Sequence, residues 1–111
     1  MYKFVLAIAA AMPAAWAAAA PHQIQHVEPP SWWTGMKQPA LQLMVHGERI
    51  AELEPALSYP GVRITGVERT DNPNYLFVNL DIGKAARPGE LALQFRRGKE
   101  LVASHRYRLE A

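Results

Sequence analysis

The chain of 111 residues contains no cysteine. That excludes a disulfide framework, thiolate zinc or iron–sulfur sites, and a lipid-anchored leader, which needs a cysteine at its cleavage point. An excess of charge of one sign is missing too: Lys+Arg 12 against Asp+Glu 10 leaves a formal +2. Nucleic acid is therefore not expected as a partner. Serine is scarce, and none of Ser31, Ser58 and Ser104 sits in a G-x-S-x-G nucleophile elbow. Gly83, Gly89 and Gly98 stand alone, so there is no phosphate-cradling loop. No uninterrupted apolar run reaches the ~20 residues that span a bilayer. The length admits one small domain and excludes a (β/α)₈ barrel, which needs about 250 residues.

What is present begins with an address. Met1 to Ala20 reads MYKFVLAIAAAMPAAWAAAA: one lysine, an apolar run from Phe4 to Ala11, then Pro13 and small residues. That order is the plan of a secretory signal peptide, with Ala15-Trp16-Ala17 as an A-x-A cleavage pattern and Ala18-Ala19-Ala20 as further cuts. The expected mature domain is 21–111, exported to the periplasm or secreted, with no membrane contact after cleavage.

From Gln23 onward no helical period appears, and turn residues recur every eight to twelve positions. Ile24 to Glu28 is expected as a strand stopped by Pro29-Pro30. Leu41, Leu43 and Val45 alternate with Gln42, Met44 and His46, the period of two of a half-buried strand. Ile50 to Leu53 is expected to pair back after a Gly47-Glu48 turn. Strands are also expected from Val62 and over Tyr75 to Ile82, separated by turns at Pro60-Gly61 and Asp71-Asn72-Pro73-Asn74. Leu91, Leu93 and Phe95 begin a terminal hairpin that turns at Arg97-Gly98-Lys99. Leu101, Ala103, His105, Tyr107 and Leu109 form the expected inner face of its return strand. About seven strands with one apolar face each predict two packed antiparallel sheets, an all-β sandwich.

Chemistry is thin. His22 and His26 are four apart, but Pro21, Pro29 and Pro30 place them on extended chain, and His46 and His105 add no ligand spacing. No metal and no cofactor are expected. Glu48, Glu52, Glu54, Asp71 and Asp81 are read as solvated, since paired glycosidase carboxylates must face one another across a cleft. Arg96, Arg97, Lys99, Arg106 and Arg108 form a basic patch, divided between faces by strand alternation. The distinctive feature is Trp32-Trp33 between a diproline and Gly35. Adjacent side chains on extended chain point to opposite sides, so one indole is expected inside and the other on the surface.

Val27-Glu28-Pro29-Pro30-Ser31-Trp32-Trp33-Thr34-Gly35-Met36-Lys37 and Leu41-Gln42-Leu43-Met44-Val45-His46-Gly47 resemble the N-terminal domain of bacterial cyclomaltodextrinases and neopullulanases, of the α-amylase superfamily (glycoside hydrolase family 13). The likeness continues through Tyr59-Pro60-Gly61-Val62, Asn72-Pro73-Asn74-Tyr75-Leu76-Phe77-Val78, Leu80-Asp81-Ile82 and Pro88-Gly89, covering 24–109. It implies an immunoglobulin-like β-sandwich ahead of a catalytic barrel, in exported enzymes that cleave cyclodextrins, pullulan and starch oligosaccharides. The family's catalytic carboxylates lie in the barrel, so no residue here inherits their roles. The chain stops at Ala111, about where the link to the barrel would begin, and the expectation is a fragment or a free-standing accessory domain. The resemblance implies Trp32, Trp33, Tyr59 and Tyr75 as carbohydrate or interface contacts. Its expected partners are a downstream barrel, an α-glucan or cyclodextrin, and a second copy in a homodimer. A free-standing carbohydrate-binding module is the alternative.

Overall fold

A computed structural model describes residues 24–111; the expected signal peptide at 1–20 and His22 lie outside the described residues. Eight strands follow in order: β1 (Ile24–Glu28), β2 (Ser31–Trp33), β3 (Ala40–Gly47), β4 (Glu54–Ala56), β5 (Val62–Arg69), β6 (Tyr75–Ile82), β7 (Gly89–Arg97) and β8 (Glu100–Glu110). They form two four-stranded sheets, β1-β3-β6-β5 and β2-β8-β7-β4. Each sheet has an apolar face of alternating residues, and burying both against each other produces an immunoglobulin-like sandwich. Leu43, Val45, Leu76 and Val78 from one sheet and Leu93, Phe95, Tyr107 and Leu109 from the other are fully buried. Each such side chain contributes about 1.5–3 kcal/mol by leaving water. Truncating one, as in Leu43→Ala, costs about 2–5 kcal/mol.

Pro29-Pro30 does more than stop β1. It hands the chain from one sheet to the other, with the Glu28–Pro29 peptide in cis. The buried Tyr107 hydroxyl donates a 2.9 Å hydrogen bond to the Pro29 carbonyl and anchors that crossover. Beyond it, β2 pairs parallel to the end of β8, in the register Ser31–Arg108, Trp32–Leu109 and Trp33–Glu110. This is the one parallel pairing among otherwise antiparallel described strands.

Two local expectations are corrected. Ile50 to Leu53 is not a strand: Ile50–Glu52 is a 3₁₀ turn entered through Arg49 in the left-handed region at φ 57°. Ile50 and Leu53 are both fully buried there, so the segment plugs one end of the sandwich instead of pairing. The Arg69 guanidinium closes it, donating to the carbonyls of Ala51 and Leu53 at 2.8 Å. The strand comes next, at Glu54–Ala56, with Pro55 tolerated because β4 is an edge strand. Finally, β8 carries a bulge where Phe95 pairs with Ala103 but Arg96 with Leu101. The extra residue, Val102, packs against the core, and Leu101 is 48% exposed instead of inside.

Two sets of loops therefore lie at opposite ends. Gly35–Pro39, Pro60-Gly61 and the β6–β7 loop share one end. There the Gly83 N–H donates to the Gly61 carbonyl at 2.7 Å, and Ala86 is so close that a Cβ on Gly61 would lie 2.5 Å from its nitrogen. The 3₁₀ turn, the Asp71–Asn74 turn and the hairpin turn at Arg97–Lys99 share the other, tied by Arg97–Glu52 at 3.5 Å.

Candidate functional site

The two indoles of β2 differ in burial. Trp32 is half-buried and packs against the core, while Trp33 is 46% exposed. Their rings meet edge to face, centroids 5.5 Å apart at 62°. The exposed ring is held in place because its strand is riveted to β8. Thr34 donates to the Glu110 carbonyl from its backbone N–H at 2.9 Å and from its hydroxyl at 3.2 Å.

Tyr59 belongs to the same end. Its hydroxyl donates to the Arg87 carbonyl at 2.6 Å. It also fills the space beside Gly89, where a Cβ would lie 2.7 Å from the phenolic oxygen. Gly89 pairs with Leu109, which pairs with Trp32, so one row links the tyrosine to the tryptophan strand. Tyr59 is thereby engaged by its own loops, and its hydroxyl is already committed. Tyr75 is elsewhere. It opens β6 at the opposite end, on the outer face of the other sheet, stacked on His46 at 4.6 Å. Strand geometry puts it about 23 Å from Ile82 and the Trp33 end. The structure thus brings together Trp32, Trp33 and Tyr59 but not Tyr75.

A groove of about 570 Å³ opens at the Trp33 end between Gly35–Pro39 and the β6–β7 corner, lined by Met36, Lys37, Asp81, Ile82 and Lys84. Asp81 is thus in a groove, where the sequence suggested only solvated carboxylates. It is the only carboxylate lining that groove, and two-carboxylate hydrolysis needs a partner across the substrate. Sequence reasoning passed over Met36, which is 47% exposed two residues after Thr34. Its signal was its place in a glycine-flanked loop after the tryptophans. Among the described residues no three of His, Asp and Glu converge as a metal site. Of the arginines in the basic patch, alternation leaves Arg96, Arg106 and Arg108 on one outer face, with Glu90 3.9 Å from Arg106. Arg97 turns aside to Glu52.

Two titratable groups on β8, the buried Tyr107 and the half-buried His105, are shifted by desolvation. Desolvation, with the Glu28 charge adding to it, pushes the Tyr107 phenol well above its ordinary value. Desolvation alone lowers His105, which faces inward from β8.

A family model described as cyclomaltodextrinase, N-terminal, matches residues 26–111. The chain belongs to that family. The cyclomaltodextrinase N-terminal domain is an accessory domain of a glycoside hydrolase. The match begins within β1 and takes in both sheets, so every residue of the Trp33 end belongs to the matched segment.

Proposed function

We propose that this cyclomaltodextrinase N-terminal domain is the non-catalytic accessory domain of an exported α-glucan hydrolase, and that it packs through its Trp33 end against the enzyme's catalytic barrel. The observation that carries the reading is the parallel pairing of β2 with the last residues of β8. It sets an exposed indole beside Glu110, on the side from which an N-terminal domain leads into the domain after it. Trp33 and Met36 offer large apolar side chains that a neighbouring domain would bury, and aromatic anchors of this kind dominate interface energetics. The groove between Met36 and Asp81 leaves room for a partner loop.

Two measurements test this. The purified chain incubated with β-cyclodextrin should release no reducing sugar; sustained turnover refutes a non-catalytic role. The DNA downstream should encode a barrel in frame or in an adjacent frame, and its absence removes the partner. A free-standing carbohydrate-binding module is the second reading, favoured by the exposed Trp33 ring. It predicts a change in tryptophan fluorescence on titration with maltoheptaose that Trp33→Ala abolishes and Trp32→Ala preserves.

A further inference from the structure

The pairing of β1 with β3 brings together two histidines that are far apart in sequence. His26 lies directly opposite His46, and two rows on Glu28 lies opposite Met44. Between those rows Val27 faces Val45, and both valines are buried. The pleat therefore turns His26, Glu28, Met44 and His46 to the outer face. Directly opposed residues on antiparallel strands have Cβ atoms about 4.5–5.5 Å apart. β1 is an edge strand and His26 is exposed, so the pair is open to solvent.

Each imidazole is steadied by a neighbour other than its partner. His26 Nε2 lies 2.6 Å from Glu28 Oε2. A carboxylate oxygen accepts, so Nε2 carries the hydrogen and, in the neutral ring, Nδ1 keeps its lone pair. His46 stacks on Tyr75, its neighbour on β6, with centroids 4.6 Å apart and 24° between planes. Stacking fixes the plane of that ring without using either nitrogen. Among the described residues no hydrogen bond engages those nitrogens.

Two neutral imidazoles at this spacing suit a transition metal. Ligand bonds of about 2.0–2.1 Å let one ion bridge nitrogens rooted on opposed strands. Imidazole nitrogen serves copper, nickel and zinc, and of these divalent ions Cu²⁺ binds tightest. Ca²⁺ and Mg²⁺ require shells of oxygen, which the pair does not offer. A metal-ligating histidine that gives its other N–H to a carboxylate is oriented by it and made more basic. Glu28 stands in that relation to His26. Among the described residues no three of His, Asp and Glu are arranged as ligands, so water fills the positions left by the two imidazoles.

We propose that His26 and His46 form a two-histidine site for Cu²⁺, with Ni²⁺ and Zn²⁺ bound more weakly, and that Glu28 is a positioning residue for His26. An ion held there staples the edge strand β1 to β3. Because the pair exists only in the folded chain, binding stabilises it. The site goes beyond the accessory-domain reading and does not depend on it.

Calorimetric titration of the full chain with Cu²⁺, followed by electron paramagnetic resonance of the loaded protein, tests the proposal. The wild-type chain should take up a single Cu²⁺ with a spectrum split by both imidazoles, and its Tm should rise as the ion is added. Loss of an outer partner costs a metal site about tenfold or more, and Glu28→Gln should weaken binding by that much with both nitrogens still in the spectrum. His26→Gln and His46→Phe should each weaken it further and remove one nitrogen. Neither position is in the core, and phenylalanine keeps a ring on Tyr75, so the fold is retained. Mg²⁺ should leave Tm unchanged. No saturable uptake by the wild-type chain overturns the site, as does unchanged affinity in both histidine variants. Loss in His22→Ala with His26→Gln and His46→Phe unchanged also overturns it, since the ion then binds the N-terminal segment. All of these results leave the accessory-domain reading intact, whereas turnover of β-cyclodextrin removes that reading and leaves the site.

Discussion

Replacing Tyr107 by phenylalanine removes one oxygen from a fully buried aromatic residue. That oxygen donates to Pro29 at 2.9 Å, where the chain crosses between sheets. A hydrogen bond of this kind is worth about 1 kcal/mol net, and a carbonyl left partly out of reach of water adds up to another. The expected loss at pH 7 is about 1–2 kcal/mol, or about 5–15 °C in Tm for a domain of this size. The pH dependence sharpens the test. Burial raises the folded phenol above the value of about 10 that it has when unfolded. Above pH ~10 the unfolded chain releases the proton while the folded chain keeps it, so wild-type stability falls by up to about 1.4 kcal/mol per pH unit. The phenylalanine variant lacks this penalty. The gap between the two proteins should therefore be full below pH ~10, shrink above it, and close about one unit higher. Thermal unfolding followed by near-ultraviolet circular dichroism at pH 7, 9, 10 and 11 measures both arms, and the other titrating groups cancel in the difference. Equal Tm values at pH 7, or parallel pH curves, would refute the assignment of that bond.

Gly61→Ala should destabilise the domain by about 3 kcal/mol or more, because φ is +84° and the new methyl would lie 2.5 Å from the Ala86 nitrogen; a midpoint in urea within error of wild type would contradict this. His105 is lowered by burial, so the unfolded chain protonates first as pH falls through ~6.5. Its contribution is present above that pH and lost below it, and His105→Leu should flatten the decline of Tm between pH 6.5 and 5. Trp32→Ala should cost about 3–5 kcal/mol and Trp33→Ala under ~1, since only the first packs against the core; chemical denaturation of the two side by side decides it.

The long strands were readable because alternation is a local signal. Tyr75–Ile82 buries Leu76, Val78, Leu80 and Ile82, the face that its pattern assigns to the core. The elements that escaped are those settled by distant partners. Three residues of Ser31–Trp33 have no period to read, and they become a strand only because β8 offers its end to them in parallel. Pro55 disguises β4, since its tolerance depends on lying at a sheet edge. The apolar content of Ile50–Leu53 resembles a strand, but Arg49 turns it into a plug. Val102 displaces Leu101 through a bulge that no window of sequence announces. At the candidate site the unequal burial of the two tryptophans followed from extended geometry, whereas the contact between their rings did not. The separation of Tyr75 from them did not, because it depends on which end of β6 meets which loops.

The short parallel ladder between β2 and β8 also has a mechanical meaning. Tension applied between the N-terminal segment and residue 111 pulls these two strands along their lengths in opposite directions. The rungs at Ser31, Trp32 and Trp33, with the Thr34 bond to Glu110, then carry the load together in shear and cannot be peeled one at a time. A hairpin such as β7–β8, pulled from its open end, would unzip rung by rung. The pairing thus works as a clamp: force reaching it along β2 and from the end of β8 loads its hydrogen bonds in shear.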